Sequence, residues 1–378
     1  MLIPSKTRLK ETPLYQYHRE KSRITEFAGF EMPLWYTSIS EEHLAVRNRV
    51  GIFDISHMGR ILLNGPDSDE FLDHLIPTRA ALQPPGKSFY TLLLNERGGI
   101  EDDLIVLKNA ANDYLLVVNA VNTSKDLEHV TKRAKEYRVG VSGITSQSTM
   151  IAIQGPEAKR ALKEAVSVNL EELKRFRFLP YTTSGHRCLI SRTGYTGEDG
   201  FEMIILDSGV ETPHFALKTW NDLAGRATPC GLGARDSLRI EAGYPLYGQE
   251  LDENTNPFEA DLSWVVAMDK PDFVGRSALE EISRQKESRI RRGVVLSEKV
   301  PRPGFEILNG SGEQVGRVTS GTFSPLIRRG IALCYLAIDY SEPRTPVEVK
   351  VRDSTAPAEV TRPPFYDESR YGWKRERE

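Results

Sequence analysis

Cysteine is scarce in this 378-residue chain: Cys188, Cys230 and Cys334 stand far apart. An odd, scattered set makes neither a disulfide framework nor a zinc knuckle, so reduced buried thiols of a cytoplasmic protein are expected. Long hydrophobic runs are also missing. The longest, residues 331–338 (IALCYLAI), falls far short of the roughly 20 residues that a membrane helix needs, so no membrane span is expected. The first residues, MLIPSKTRLKETP, lack an apolar stretch of about 7–15 residues, so no signal peptide is expected. A formal net charge of −3 gives no basic footprint for a nucleic acid. The seven histidines include no pair spaced i, i+4, which argues against a histidine metal site; no metal is expected. There is no Walker phosphate loop and no nucleophile elbow, and Gly231-Leu232-Gly233 lacks the context of a dinucleotide fingerprint.

What is present reads as a globular protein of several units. A single core rarely grows past roughly 250–300 residues, so more than one domain is expected. Apolar strand patterns fall at 61–64, 88–94, 100–107, 114–119, 150–154, 188–193 and 201–205. Helices are expected after Gly65-Pro66 and Gly155-Pro156, from Pro213 to Ala224, and from about Asp236 to Ala242. Thr123 with Asp126 three residues on suggests a capped helix running to about Tyr137. This mixture predicts the α+β class. A charged helical segment at 276–293 precedes short strands with Gly and Pro turns, which predicts a small β unit starting near residue 280.

Five dense segments can carry chemistry: Phe27-Ala28-Gly29-Phe30-Glu31-Met32-Pro33; Phe53-Asp54-Ile55-Ser56-His57-Met58-Gly59; Gly98-Gly99-Ile100-Glu101-Asp102-Asp103-Leu104-Ile105-Val106; Arg192-Thr193-Gly194-Tyr195-Thr196-Gly197-Glu198-Asp199-Gly200-Phe201-Glu202; and Gly231-Leu232-Gly233-Ala234-Arg235-Asp236. Side chains alternate across a strand, so Asp102 shares a face with Leu104, and Asp103 shares the other with Ile105. At most one of the two lines a given pocket. Such a carboxylate can orient an amine or accept its proton; it can equally cap a turn or pair with an arginine. Glu202, between Phe201 and Met203, needs a partner if buried, and a carboxylate suits the parallel N–H groups of an aminopyrimidine. Glu198 and Asp199, at a hairpin tip, are expected to be solvated. Arg235 can clamp a carboxylate or pair with Asp236. His57 reads as a satisfied structural histidine, and Met58, Tyr90 and Tyr195 can face a flat ring or belong to the core.

These segments, in this order, resemble the aminomethyltransferase family, the T-protein of the glycine cleavage system. The likeness continues through Leu238-Arg239-Ile240-Glu241-Ala242-Gly243-Tyr244-Pro245-Leu246-Tyr247-Gly248, Asn256-Pro257-Phe258-Glu259, Leu262-Ser263-Trp264-Val265-Val266, Asp272-Phe273-Val274-Gly275 and Val318-Thr319-Ser320-Gly321-Thr322-Phe323-Ser324-Pro325. The resemblance implies a three-domain cloverleaf around a central folate cavity. The expected division is 1–50 plus 146–279 for a discontinuous first domain, 51–145 for the second, and 280–378 for a small C-terminal β-barrel. It implies transfer of a one-carbon unit from aminomethylated, lipoylated H-protein to tetrahydrofolate, giving 5,10-methylenetetrahydrofolate, ammonia and dihydrolipoyl H-protein. It implies Asp103 as the catalytic carboxylate and Glu202 as the pterin holder. Arg235, Met58, Tyr90, Asn119 and Tyr195 are implied as cavity residues, with Arg370 or Tyr371 contributed by the tail (PPFYDESRYGW). The H-protein contact is expected to be transient and the chain monomeric. Glu101 departs from the family pattern by adding an acid beside the pair, and the stretch Leu326-Ile327-Arg328-Arg329 is unusually basic. The rivals are a folate-dependent S- or O-demethylase on the same scaffold and a non-catalytic folate-binding protein of iron–sulfur assembly. The motif set weighs against the first, and the absence of a reactive cysteine motif against the second. A flavin-fused oxidase would need an N-terminal dinucleotide fingerprint.

Overall fold

The computed structural model describes residues 8–285 and 287–375. The signal-peptide expectation therefore falls partly outside the described residues. Two large sheets, a two-stranded hairpin of Arg23–Phe27 and Phe30–Trp35, and a barrel organise the described residues. A six-stranded sheet runs in the order Phe178–Thr183, His186–Ser191, Gly200–Ile205, Thr149–Gln154, Gly51–Asp54, Thr228–Pro229. Its neighbours are antiparallel except the last pair, which is parallel. A five-stranded antiparallel sheet runs Lys87–Leu94, Ile100–Ala110, Asp113–Val118, Gly59–Asn64, Gly140–Gly143. The chain thus passes between the sheets after Asp54 and returns before Thr149. The strand Gly51–Asp54, expected at the start of the second unit, pairs inside the six-stranded sheet instead.

Strand alternation accounts for the layering. Ile52, Ile151, Ile153, Phe201 and Met203 point from the six-stranded sheet toward the helices Ala158–Val166 and His214–Ala224. Their neighbours Phe53, Ala152 and Ile204 meet Leu107, Leu115 and Val117 of the other sheet. On that sheet's far face Leu104, Val106, Leu116 and Val118 pack with Phe71, Leu72 and Leu75 of the helix Ser68–Leu75 and with Val130 of the helix Thr123–Arg133. The order is helix, sheet, sheet, helix. Each fully buried Leu, Ile or Phe contributes about 1.5–3 kcal/mol of burial energy.

The last unit is a closed barrel of Arg289–Leu296, Arg329–Ala337, Gln314–Ser324, Glu306–Leu308, Pro346–Val351 and Ser354–Thr361. Pairing of the first strand with the last closes it and removes both exposed edges. The preceding charged segment is shorter as a helix than its pattern suggested. It spans Arg276–Ser283, and the basic stretch from Arg289 is the first barrel strand. The helix from Thr123 ends at Arg133 and a short 3₁₀ turn follows at Ala134–Glu136. Thr123 does not cap it: its hydroxyl donates back to the carbonyls of Asn119 and Ala120.

Candidate active site

A cavity of about 700 Å³ lies where the three units meet. Its walls include Met58, Tyr90, Asp103, Asn119, Tyr195, Glu202 and Arg235, brought from distant segments. Arg370 and Tyr371 are not among them. The tail contributes Pro363 and Trp373 instead, while Arg370 points into solvent.

The strand Ile100–Ala110 starts from a tight turn at Gly98-Gly99. A Cβ on Gly99 would sit 1.9 Å from the Glu253 carbonyl oxygen, so only glycine lets the turn pack there. Alternation then sends Asp103 into the cavity and Asp102 to the opposite face, fully buried. Asp103 accepts hydrogen bonds from the Tyr90 hydroxyl at 3.1 Å and the Asn119 amide at 2.7 Å. Burial, and then the charge of Asp102, push its carboxyl up to about 7. The additional acid, Glu101, is neutralised by Lys125 at 3.1 Å.

Glu202 enters from the strand Gly200–Ile205. It accepts from the Thr193 hydroxyl at 2.5 Å, and burial holds its carboxyl above the ordinary range. Arg235 rises from the first turn of the helix Leu232–Ala242. That start is fixed where the buried Glu42 carboxylate accepts the Gly231 N–H at 2.8 Å. No carboxylate among the described residues ion-pairs with Arg235: Asp236 is taken by Arg239 at 2.8 Å. The Arg235 guanidinium lies 4.6 Å from the centre of the Tyr195 ring, whose hydroxyl donates to the Pro245 carbonyl. Tyr90 stacks on Trp264 at 5.6 Å, and Trp264, Trp373, Phe27 and Val121 are the large exposed apolar residues at the cavity's edge among the described residues.

Two expectations are corrected here. His57 is not satisfied: its buried Nδ1 has no hydrogen-bond partner among the described residues, its ring lines the cavity, and burial next to Arg235 lowers it to about 3, so it is neutral. Glu198 is not solvated. It is 5% exposed, lies 3.2 Å from both Arg47 and Arg375, and accepts the Gly372 N–H at 2.9 Å. Its neighbour Asp199 holds Arg192 through two bonds, at 2.8 and 2.5 Å. The Glu198 contacts, with Trp373 N–H donating to the Gly197 carbonyl, seat the tail against the cavity.

The basic Arg328-Arg329 loop is exposed and lies outside the cavity. The three thiols are buried, and burial raises all of them, Cys188 to about 12, so none is a ready nucleophile. Sequence reasoning assigned no cavity role to Arg291, Trp264 or Trp373. For Trp264 and Trp373 a signal existed, since both stand within the quoted motifs. Among the described residues no metal-binding cluster occurs and no helix is long and apolar enough to cross a membrane.

Comparison with known proteins agrees with this arrangement. Residues 14–270 match the family model described as GCVT N-terminal domain, and 289–367 match the glycine cleavage T-protein C-terminal barrel domain. An aminomethyltransferase of Thermotoga sp. (strain RQ2) is 44% identical over 335 residues, 87% of this chain and 90% of that protein. One from Thermus thermophilus is 43% identical over 359 residues, 94% and 99% of the two chains. The crystal structure of the glycine cleavage system aminomethyltransferase T from Bartonella henselae superposes with a TM-score of 0.88 at 35% identity, covering 95% of this chain and 98% of that one. The chain belongs to the aminomethyltransferase family, the T-proteins of the glycine cleavage system.

Proposed function

We propose that the chain moves a one-carbon unit from the aminomethylated lipoyl arm of H-protein to tetrahydrofolate, with Asp103 as the acting carboxylate. One observation carries the assignment to this cavity. A carboxylate with raised proton affinity, Asp103, shares an apolar chamber with a second carboxylate, Glu202, and an unpaired arginine, Arg235.

The residues suit the ligand. A pterin presents parallel N–H donors on its aminopyrimidine edge, and Glu202 supplies the acceptor. The rings of Tyr90 and Tyr195 and the Met58 side chain offer flat apolar contact. Arg235, beside Glu202, supplies a cationic hydrogen-bond donor at the same end of the cavity.

The reaction breaks the carbon's bonds to sulfur and to the amine and forms bonds to N5 and N10. The two N–H protons released by the folate balance the thiol and the ammonium ion that leave. Asp103 is poised to take up a proton at neutral pH and to favour the positive charge that develops on the carbon. Tyr90 and Asn119 hold its carboxylate in place. His57, neutral, adds no competing charge.

The proposal places the enzyme in the cytoplasm as a monomer meeting H-protein transiently. It also keeps the three-unit division, with the first boundary moved from 50/51 to past Asp54: 1–54 plus 146–279, 55–145 and 280–378. The test is ammonia release from aminomethylated H-protein and tetrahydrofolate, omitting each component in turn. Release that needs both components supports the reading. Turnover of a methyl thioether or methyl ether instead favours a demethylase, and folate binding without turnover favours the non-catalytic protein.

A further inference from the structure

Beneath the cavity wall lies a second acidic pair. Asp102, fully buried, accepts the Asn119 backbone N–H at 2.9 Å and the side-chain amides of Asn119 and Asn122 at 2.8 and 2.7 Å. Asp126 stands one turn after Asn122 on the helix Thr123–Arg133 and is 1% exposed. Neither of its oxygens receives a hydrogen bond from an N–H or hydroxyl of the described residues. Its bonding neighbour is the Asp102 carboxyl. Two ionised carboxylates cannot share a dry interior; one proton between them satisfies both.

The other charged and titratable groups facing the pair do not replace that proton. Lys125 is committed to Glu101 and Glu253, at 3.1 and 3.2 Å, and to the Tyr247 hydroxyl at 3.1 Å. On the other side stands Asp103, beyond which lie Tyr90, Tyr195 and Arg291. The Asn119 amide bridges the pair to the cavity, donating to Asp102 at 2.8 Å and Asp103 at 2.7 Å.

We propose that Asp126 is a protonated carboxylic acid donating to Asp102, and that this pair, through Asn119, is the positioning unit that orients Asp103 and sets its proton affinity. The idea deepens the function proposed above and rests on it for its kinetic consequences. Burial beside Asp102 raises the Asp126 carboxyl, in keeping with a proton held at neutral pH. The three carboxyls then titrate as a coupled set.

Infrared spectroscopy of the folded protein without substrates tests the proton directly. A protonated-carboxyl band at neutral pH is expected in Asp103→Asn, where Asp103 can contribute none, and is expected to be lost when Asp126→Asn is added to it. Absence of that band from Asp103→Asn overturns the proposal whether or not the protein turns over folate. The kinetic arm uses H-protein and tetrahydrofolate. Asp126→Ala is expected to lower kcat about ten- to a hundredfold with the folate KM held. Asp126→Asn, which restores a neutral donor, is expected to rescue it. Asp102→Asn removes the charge that raises Asp103, so the acid limb of kcat/KM is expected to move to lower pH. A folded Asp102→Asn enzyme with an unmoved limb refutes the positioning role. Failure of the unaltered enzyme to release ammonia instead refutes the parent function and leaves the infrared result standing.

Discussion

The side-chain amide of Asn119 donates to Oδ1 of Asp103 at 2.7 Å, and it does so from the end of the neighbouring strand Asp113–Val118. The bond favours the ionised carboxylate against the burial that opposes it. Asn119→Leu removes the donor and keeps the bulk. Asp103 should then hold its proton to higher pH, the acid limb of kcat/KM should move up, and kcat should fall about tenfold or more. A pH–rate profile of the purified variant checks this.

Asp103 itself gives a complementary prediction. Its carboxyl is raised to about 7, so the base form fills as pH rises through that value, and kcat/KM should rise with it. Its effect on stability has the opposite sign. The folded state binds the proton more tightly than the unfolded chain, so this group costs stability as pH climbs from about 4 to 7. Asp103→Asn should therefore melt no lower than the parent at pH 8 while losing about a hundredfold or more in ammonia release. Thermal melts beside the assay separate the two effects.

Glu202→Gln replaces an acceptor oxygen with a donor nitrogen of the same shape. A hydrogen bond to a charged group contributes about 1.5–3 kcal/mol, so folate affinity should fall roughly ten- to a hundredfold. Calorimetric titration with tetrahydrofolate under reducing conditions measures it, and unchanged affinity contradicts the assigned pterin contact.

Arg47 is buried between two carboxylates, Glu241 at 2.7 Å and Glu198 at 3.2 Å. Arg47→Met takes a buried cation from both, leaving Glu198 only Arg375 and Glu241 only His43 and Ser324, and should destabilise the protein by about 3 kcal/mol, read from denaturant unfolding. Glu241 is held down to about 2 despite the burial that opposes this, through His43, Arg47 and Ser324. Its depressed value contributes stability that is present above about 4.5 and is lost as pH falls toward 2. Acid unfolding of Glu241→Gln should accordingly show a shallower pH dependence over that window.

Much of the arrangement is legible in the sequence. The period-two pattern of residues 100–107 assigns Asp102 and Asp103 to opposite faces, and the fold keeps them there, because slipping the strand by one residue would pull Leu104 and Val106 out of the helix-facing core and turn Asp103 and Ile105 into it. The barrel can be read from its Gly and Pro punctuation, though nothing in residues 354–361 marks its last strand, Ser354–Thr361. That strand is rich in small and polar residues, and pairing on both sides defines it rather than apolar alternation. Long-range partners were hidden for a simpler reason. Asp126 has the local look of a capping residue, and only the helix's seat over Asp102 turns it inward. Glu198 likewise looks solvated until Arg47 and Arg375, from opposite ends of the sequence, close on it.

That closure bears on when the chamber comes into being. Pro363 and Trp373 form part of its wall, and Glu198 holds the segment that carries Trp373. A nascent chain halted before residue 363 can already contain Asp103, Glu202 and Arg235, yet its chamber is open on one side. Competence to retain folate is therefore a late event of synthesis, and proteolytic loss of this short tail would act on ligand retention before it reached any carboxylate.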